Sequence, residues 1–398
     1  MVDSSDANLD RKLYMEEKVN YADDYVVTTE SIHDLVKLHT NITKSGWIEF
    51  IKEYELHSDI VNSDILPRHK DEDQVQLDVE RSFVYYPTNI ASQHRDQLKI
   101  RLKKLIIKVL RNYPHLSYYQ GYHDISGVVL LMLDDDEMAY RALTRLTLVF
   151  LRDFMMPDIK YSLNMLNLIP ELIKLLDSEL YEKLDLAQIQ PIFALSPIIT
   201  LYSHDFQDLQ LVELVFKEMV SQKTIFISLY IFASLVVQKK KEILKTLELN
   251  SDFEKSDVIH NTLSKFLSTT TKDELTGAIE NSQKYLVKYP PSKLKSFKLV
   301  GNLSVLKTKE ARNFKSLIDE QIKESKSPVK LPRLSLISKI LVSQQTQNVI
   351  KLTIAVGVLS ILLGSLADVN SPAISFITGR LSLINTIKRI WREIHNNT

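Results

Sequence analysis

Apolar residues recur at three- and four-residue intervals along most of the chain, the spacing of one face of a helix. Leu98, Leu102, Leu105, Ile106, Val109 and Leu110 form the clearest stripe, with Lys99, Lys103 and Lys104 between them. Pro114 bounds this helix, because a residue before proline avoids helical geometry. The same reading predicts helices over 125–133, closed by the acidic run Asp134-Asp135-Asp136-Glu137, and over 138–151, with Arg141 and Arg145 on the wet side. Further helices are expected over 171–184, 208–220 and 225–237. No stretch alternates as a strand beside a matching turn, so the fold class is all-α, a multi-helix domain without internal repeats.

The pattern loosens around Pro290-Pro291, and the Lys/Ser-rich stretch after it reads as a linker over 292–348. Residues 349–368 follow as a transmembrane segment, holding the uncharged run LTIAVGVLSILLGSLA. As a helix that run is about 24 Å long, close to the roughly 27 Å core of an endoplasmic-reticulum membrane. A buried core helix is the competing reading, and nothing near the terminus offers it a bundle to enter. Residues 369–398 form an amphipathic basic tail, with Ile377, Leu381, Ile384, Ile387, Trp391 and Ile394 on one face and Lys388, Arg389 and Arg392 around the other. Positive charge on both sides leaves a single span or a hairpin open, and leans towards the hairpin or an interfacial second helix. Residues 1–30 are polar and acidic, lack the apolar core of a signal peptide and read as a flexible tail. That leaves 31–291 as the main domain.

Composition narrows the chemistry. With 8 Gly and 12 Pro in 398 residues the chain has few tight turns, which suits helices. The formal net charge is zero, so no whole-protein field draws in nucleic acid, and no nucleic-acid partner is expected. The absence of cysteine excludes disulfides, thiol nucleophiles and cysteine zinc sites. His123-Asp124 and His204-Asp205 suggest a hydrolase, but no HExxH and no nucleophile-elbow serine accompany them. The acidic run lacks the spacing of an oxygen-ligand loop and reads as a solvated turn. Lys239-Lys240-Lys241 reads as a helix C-terminus matched to its dipole. No metal site is expected.

Two short stretches remain. In Val75-Gln76-Leu77-Asp78-Val79-Glu80-Arg81 the Asp78 carboxylate and the Arg81 guanidinium lie three apart on a helix and share a face. The acid can aim the base, although alone the pair reads as a surface ion pair near a helix start. In Tyr118-Tyr119-Gln120-Gly121-Tyr122-His123-Asp124-Ile125 two aromatics precede a glutamine, and Gly121 lets another backbone come close. Taken alone, this is a packed loop whose tyrosines satisfy their hydroxyls.

Together the stretches resemble the TBC-domain family of Rab GTPase-activating proteins, marked by IxxDxxR and, some forty residues on, YxQ. Here these are Val75-x-x-Asp78-x-x-Arg81, with Val for Ile, and Tyr118-x-Gln120 followed by glycine. Thr200-Leu201-Tyr202-Ser203-His204-Asp205 is similar to a third family stretch. The likeness spans roughly 31–291. YYQGYHDI with LDVERS upstream looks like the C-terminally membrane-anchored branch, which acts on the Rab (Ypt) GTPase of endoplasmic-reticulum-to-Golgi traffic. Departures are Thr43 where the family often has Arg ahead of Trp47, Pro197 for a usual tryptophan, and His123 where many relatives have Asn, although this branch tolerates His.

The resemblance implies a two-finger catalyst. Arg81 would neutralise charge moving towards the β–γ bridging oxygen of GTP, which lysine does poorly for want of a planar fork. Gln120 would position the water, since an amide both donates and accepts. Asp78 would orient Arg81, Tyr118 would prop the loop and pack against the partner, and Gly121 would let the loop approach closely. The partner is a Rab/Ypt GTPase in its GTP-bound form, which brings GTP and Mg²⁺, so no cofactor of the chain's own and no independent hydrolase activity are expected. The implied location is the cytosolic face of the endoplasmic reticulum or early Golgi, gripped through the C-terminus. The alternative is a catalytically inactive Rab-binding tether or effector, and a structural membrane adaptor stands behind it.

Overall fold

Helix follows helix through the residues that the computed structural model describes, namely 44–52, 63–133, 135–309, 311 and 313–326. The first five are α1 (Lys44–Lys52), α2 (Glu72–Glu80), α3 (Ser92–Asn112), α4 (Tyr122–Met132) and α5 (Asp136–Leu146). α5 runs on into a π turn, Thr147–Leu151, and a 3-10 turn, Arg152–Met155. After them come α6 (Lys160–Leu166), α7 (Leu168–Leu176), α8 (Ser178–Lys183), α9 (Leu195–Ile199) and α10 (Leu209–Gln222). The last are α11 (Phe226–Gln238), α12 (Lys240–Leu249), α13 (Lys255–Lys265), α14 (Lys272–Lys288) and α15 (Phe314–Lys326). Among the described residues every regular element is helical.

The apolar stripes decide who lies inside. α11 buries every side chain from Phe226 to Val236 and so has no face for water; it lies against α7 and α14. α3 buries Leu98, Leu102, Leu105, Ile106, Val109 and Leu110 against α2, α4 and α5. It ends at Asn112, with Tyr113 as its cap ahead of Pro114. Within 171–184 the expected single helix is broken at Asp177, whose side chain turns back to accept from Leu180 N at 2.8 Å and start α8. Such a cap is worth about 1 kcal/mol, and apolar spacing alone does not reveal it.

Charged residues correct the reading in two places. Arg145, expected on the wet side, is 1% exposed and lies over the Phe50 ring, 5.5 Å from its centroid. Residues 292–309 and 313–326, read as the start of a linker, fold onto the domain and bury Leu294, Val300, Val305, Leu306 and Ile318. Their apolar positions follow no helical or strand period, because loops and 3-10 turns carry most of them. The acidic turn is spent locally: Asp135 accepts from Met138 N, Asp136 pairs with Arg101 and Glu137 with Lys108. Lys239 closes α11, buried against Glu274 at 3.1 Å.

The proposed membrane segment 349–368 and both flanks, 1–43 and 327–398, lie outside the described residues. Among the described residues no helix is long and apolar enough to cross a membrane.

Candidate functional site

α2 presents a buried edge of Glu72, Val75, Asp78 and Val79, which the three- and four-residue spacing brings to one face. Asp78 closes that edge and is fully buried, while Arg81 caps the helix with its side chain 40% exposed. The pair is therefore no surface ion pair. Arg81 Nη2 donates to Asp78 Oδ1 at 2.6 Å, and Gln74 Nε2 donates to the same oxygen at 3.0 Å. The other oxygen accepts from the Tyr118 hydroxyl at 2.8 Å. A carboxylate saturated in this way fixes the root of a half-exposed cation.

The Tyr118 bond is what joins the two motifs. Burial, with the Asp78 carboxylate beside it, pushes the Tyr118 phenol well above its usual range, so it remains a donor. Tyr118 is only 9% exposed, and its hydroxyl is turned inward to Asp78. Two residues on, Gln120 is exposed, and among the described residues nothing holds its amide. Gly121 needs to be glycine twice over. Its φ is +104°, and a Cβ there would stand 2.6 Å from Thr200 Cγ2.

Thr200 belongs to the third stretch, which the fold brings to the same place. Leu201 and Tyr202 are both left-handed, at φ 50° and 66°, an arrangement costing about 1–3 kcal/mol per residue unless the surroundings impose it. They are imposed here by Tyr202 N donating to Pro197 O at 2.8 Å and the Tyr202 hydroxyl donating to Ser228 O at 2.7 Å. Tyr119 donates to Ile199 O at 2.7 Å, and Tyr86 to Ser203 O at 2.7 Å. The two His-Asp pairs also meet crosswise: His204 Nδ1 lies 3.1 Å from Asp124 Oδ2. That bond holds the His204 imidazole above its usual range against the effect of burial. Burial opposes the charge on Asp124, yet His123 and His204 beside it keep its carboxyl below the ordinary value. Burial pushes Asp205 up to about 6, against the pull of His204 and of the hydrogen bond from Ser196.

A clamp that sequence reasoning missed lies behind the loop. Asp71 Oδ2 accepts from Tyr118 N at 2.9 Å, and His69 Nε2 lies 3.2 and 3.0 Å from the carbonyls of Pro114 and Leu116. Glu72 takes a two-pronged bond from Arg111 at 2.7 and 2.9 Å, and this hydrogen bonding outweighs its burial to hold the acid below its usual range. The only signal in the chain is Asp71-Glu72 at a helix start, which matches any N-terminal turn. Trp47, which the family pattern shares, is buried edge-on to Phe50; of the departures, Pro197 is buried within α9 and His123 lies 3.2 Å from the Tyr118 hydroxyl. Thr43 falls outside the described residues.

Chemically, the site offers an aimed cation and, among the described residues, an unengaged amide on adjacent segments. Such a cation can pair with an anion, and such an amide can donate and accept at once.

The family model for the Rab-GTPase-TBC domain matches residues 45–244. The chain is 30% identical over 273 residues to GTPase-activating protein GYP8 of Saccharomyces cerevisiae, covering 60% of this chain and 53% of that one. It is 36% identical over 209 residues to GTPase-activating protein gyp10 of Schizosaccharomyces pombe, covering 52% and 54%. To TBC1 domain family member 20 of Homo sapiens it is 30% identical over 231 residues, covering 56% and 53%. The chain spans about half the length of these relatives. The matched residues run from α1 into α12 and carry both motifs and the stretch that buttresses them, and on that match the chain belongs to the Rab-GTPase-TBC domain family.

Proposed function

We propose that the chain stimulates GTP hydrolysis by a GTP-bound Rab/Ypt GTPase, supplying Arg81 and Gln120 in trans. The observation that carries this reading is the Tyr118–Asp78–Arg81 chain of bonds at 2.8 and 2.6 Å, which leaves Gln120 exposed on the loop that the same tyrosine anchors. A surface that only bound a GTPase would have no need of a buried carboxylate to aim a cation. Two of the relatives are named as GTPase-activating proteins, which supports the same reading.

Arg81 would neutralise charge on the leaving phosphate, a role worth about 10³–10⁵ in rate, or roughly 4–7 kcal/mol. Gln120 would donate to the transferring phosphoryl and accept from the attacking water. Nucleotide and Mg²⁺ arrive with the partner. The likeness of the YYQGYHDI stretch to the membrane-anchored branch supports action in endoplasmic-reticulum-to-Golgi traffic, with the uncharged run in 349–368 holding the chain to the cytosolic face of that membrane.

Single-turnover GTP hydrolysis by a panel of purified Rabs, with and without the full chain, tests this. Acceleration of one or two members that falls steeply, to a small remainder, in both Arg81→Ala and Gln120→Ala is expected. Binding without acceleration of any member would establish a tether instead.

A further inference from the structure

Behind the glutamine loop lies a pair of buried charges that the reaction does not use. Arg152 and Asp153, in the 3-10 turn after α5, are 0% and 1% exposed. Burial lowers the Arg152 guanidinium to about 10 and raises the Asp153 carboxyl, as expected where two ions leave water. Their partners come almost wholly from beyond residue 294. Arg152 donates to Gln321 Oε1 at 2.7 Å and to the carbonyls of Leu303 and Thr308 at 2.8 and 2.9 Å. Asp153 accepts from Gln321 Nε2 at 2.7 Å, from Val305 N at 3.1 Å and from the Ser304 hydroxyl. One glutamine on α15 thus bridges both ions, and the segment leading to α15 supplies the rest.

The same short turn touches the loop on its other side. Met155 O accepts from Ser117 N at 2.8 Å, and the Phe154 ring meets Tyr119 edge-on, centroids 6.1 Å apart. Outside, His115 Nδ1 contacts Asp319 of α15. A buried ion is costly unless hydrogen-bonded, so the turn keeps its shape only while the later segment covers it.

We infer that residues 294–309 and 313–325 form the rear support of the glutamine loop, with Arg152, Asp153 and Gln321 as positioning residues for Gln120. This rests on the reading of Gln120 as a finger and adds a region outside the stretch that the family model matches. Arg81 is aimed by Asp78 on α2, and the support reaches it only through Tyr118, whose hydroxyl donates to the other Asp78 oxygen. The segment therefore bears on Gln120 through the backbone beside it, and on Arg81 only at that remove.

Gln321→Met keeps the side-chain volume and removes both hydrogen bonds, and Asp319→Ala opens the outer contact. In the full chain, Gln321→Met is expected to speed hydrogen exchange at the Ser117 amide about tenfold while the α11 amides stay protected. With the panel Rab most strongly stimulated, loaded with GTP, it is expected to lower kcat about tenfold with KM within twofold. That loss persists on an Arg81→Ala background and vanishes on a Gln120→Ala background. Asp319→Ala gives a smaller loss with the same pattern. Unchanged Ser117 exchange overturns the support, and a kcat loss that survives in Gln120→Ala overturns its action through that residue. If Gln120→Ala costs the parent nothing, the finger reading falls and the positioning role falls with it. The exchange result then still decides whether the segment that carries Gln321 holds the loop.

Discussion

Arg81 and Gln120 sit on neighbouring segments and are held in opposite ways. Arg81 is held by its own side chain: one buried carboxylate grips the guanidinium at 2.6 Å at the end of a regular helix. Among the described residues Gln120 has no such grip, and its direction comes from the backbone on either side. Asp71 fixes Tyr118 N, Met155 O fixes Ser117 N, and Gly121 turns the chain at φ +104° against Thr200. A cation needs an anion to aim it, and a buried acid serves. In the proposed role a neutral amide must donate and accept at once, and a partner of its own would occupy the groups it needs. Among the described residues it is left open, and the backbone around it is fixed instead.

This difference predicts which substitutions separate the fingers. Arg81→Ala is expected to cost about 10³-fold or more in single-turnover kcat. Asp78→Asn, which keeps shape and loses the charge, should cost about 10–100-fold, the worth of a hydrogen bond between charged groups. Equal kcat in Asp78→Asn and parent would show that the carboxylate does not aim the arginine. Gly121→Ala is the counterpart on the loop side. Strain at positive φ adds about 1–3 kcal/mol, and the Thr200 methyl adds a clash. Urea unfolding should show the loss, and Thr200→Ser should restore the steric share and leave the φ share.

A smaller effect is expected from Asp71→Ala, which frees Tyr118 N at a stability cost of about 1–2 kcal/mol. Its kcat loss should be absent when Gln120 is already alanine. The smallest prediction concerns pH, and it belongs to the loop side. His204 is raised by Asp124, so its stabilisation is full below the unfolded histidine value and is lost as pH rises through the folded one. Asp124 is lowered, so its share is present above the unfolded aspartate value and is lost as pH falls through the folded one. Melting temperature from pH 6 to 9 should therefore fall slightly more in the parent than in His204→Gln. An identical fall in both would mean the contact contributes nothing.

The helices were legible because their apolar stripes are long: the α3 stripe named from spacing is the buried one, residue for residue. The fingers and their loop stood out only as motifs, and no feature of the sequence shows that Asp78 lies at 0% exposure between them. What stayed illegible depends on contacts across long sequence separations. Asp71 reaches Tyr118 and Gln321 reaches Arg152 without any local pattern. Asp124 meets His204 from another segment as well as its neighbour His123, and no local pattern announces it. The Lys/Ser-rich stretch after Pro291 looked like a linker because its buried residues are spread over turns, and periodicity is blind to turns. A fragment ending at Pro291 would leave Arg152 and Asp153 without most of their partners.

The central claim is that this chain, and not the GTPase, provides the water-positioning amide. It is tested most directly with a stimulated Rab whose own catalytic glutamine is replaced by alanine, assayed in single turnover with the full chain. The account predicts stimulation retained within about tenfold and abolished by Gln120→Ala. Stimulation lost with the altered Rab, and unaffected by Gln120→Ala with the normal one, would contradict it.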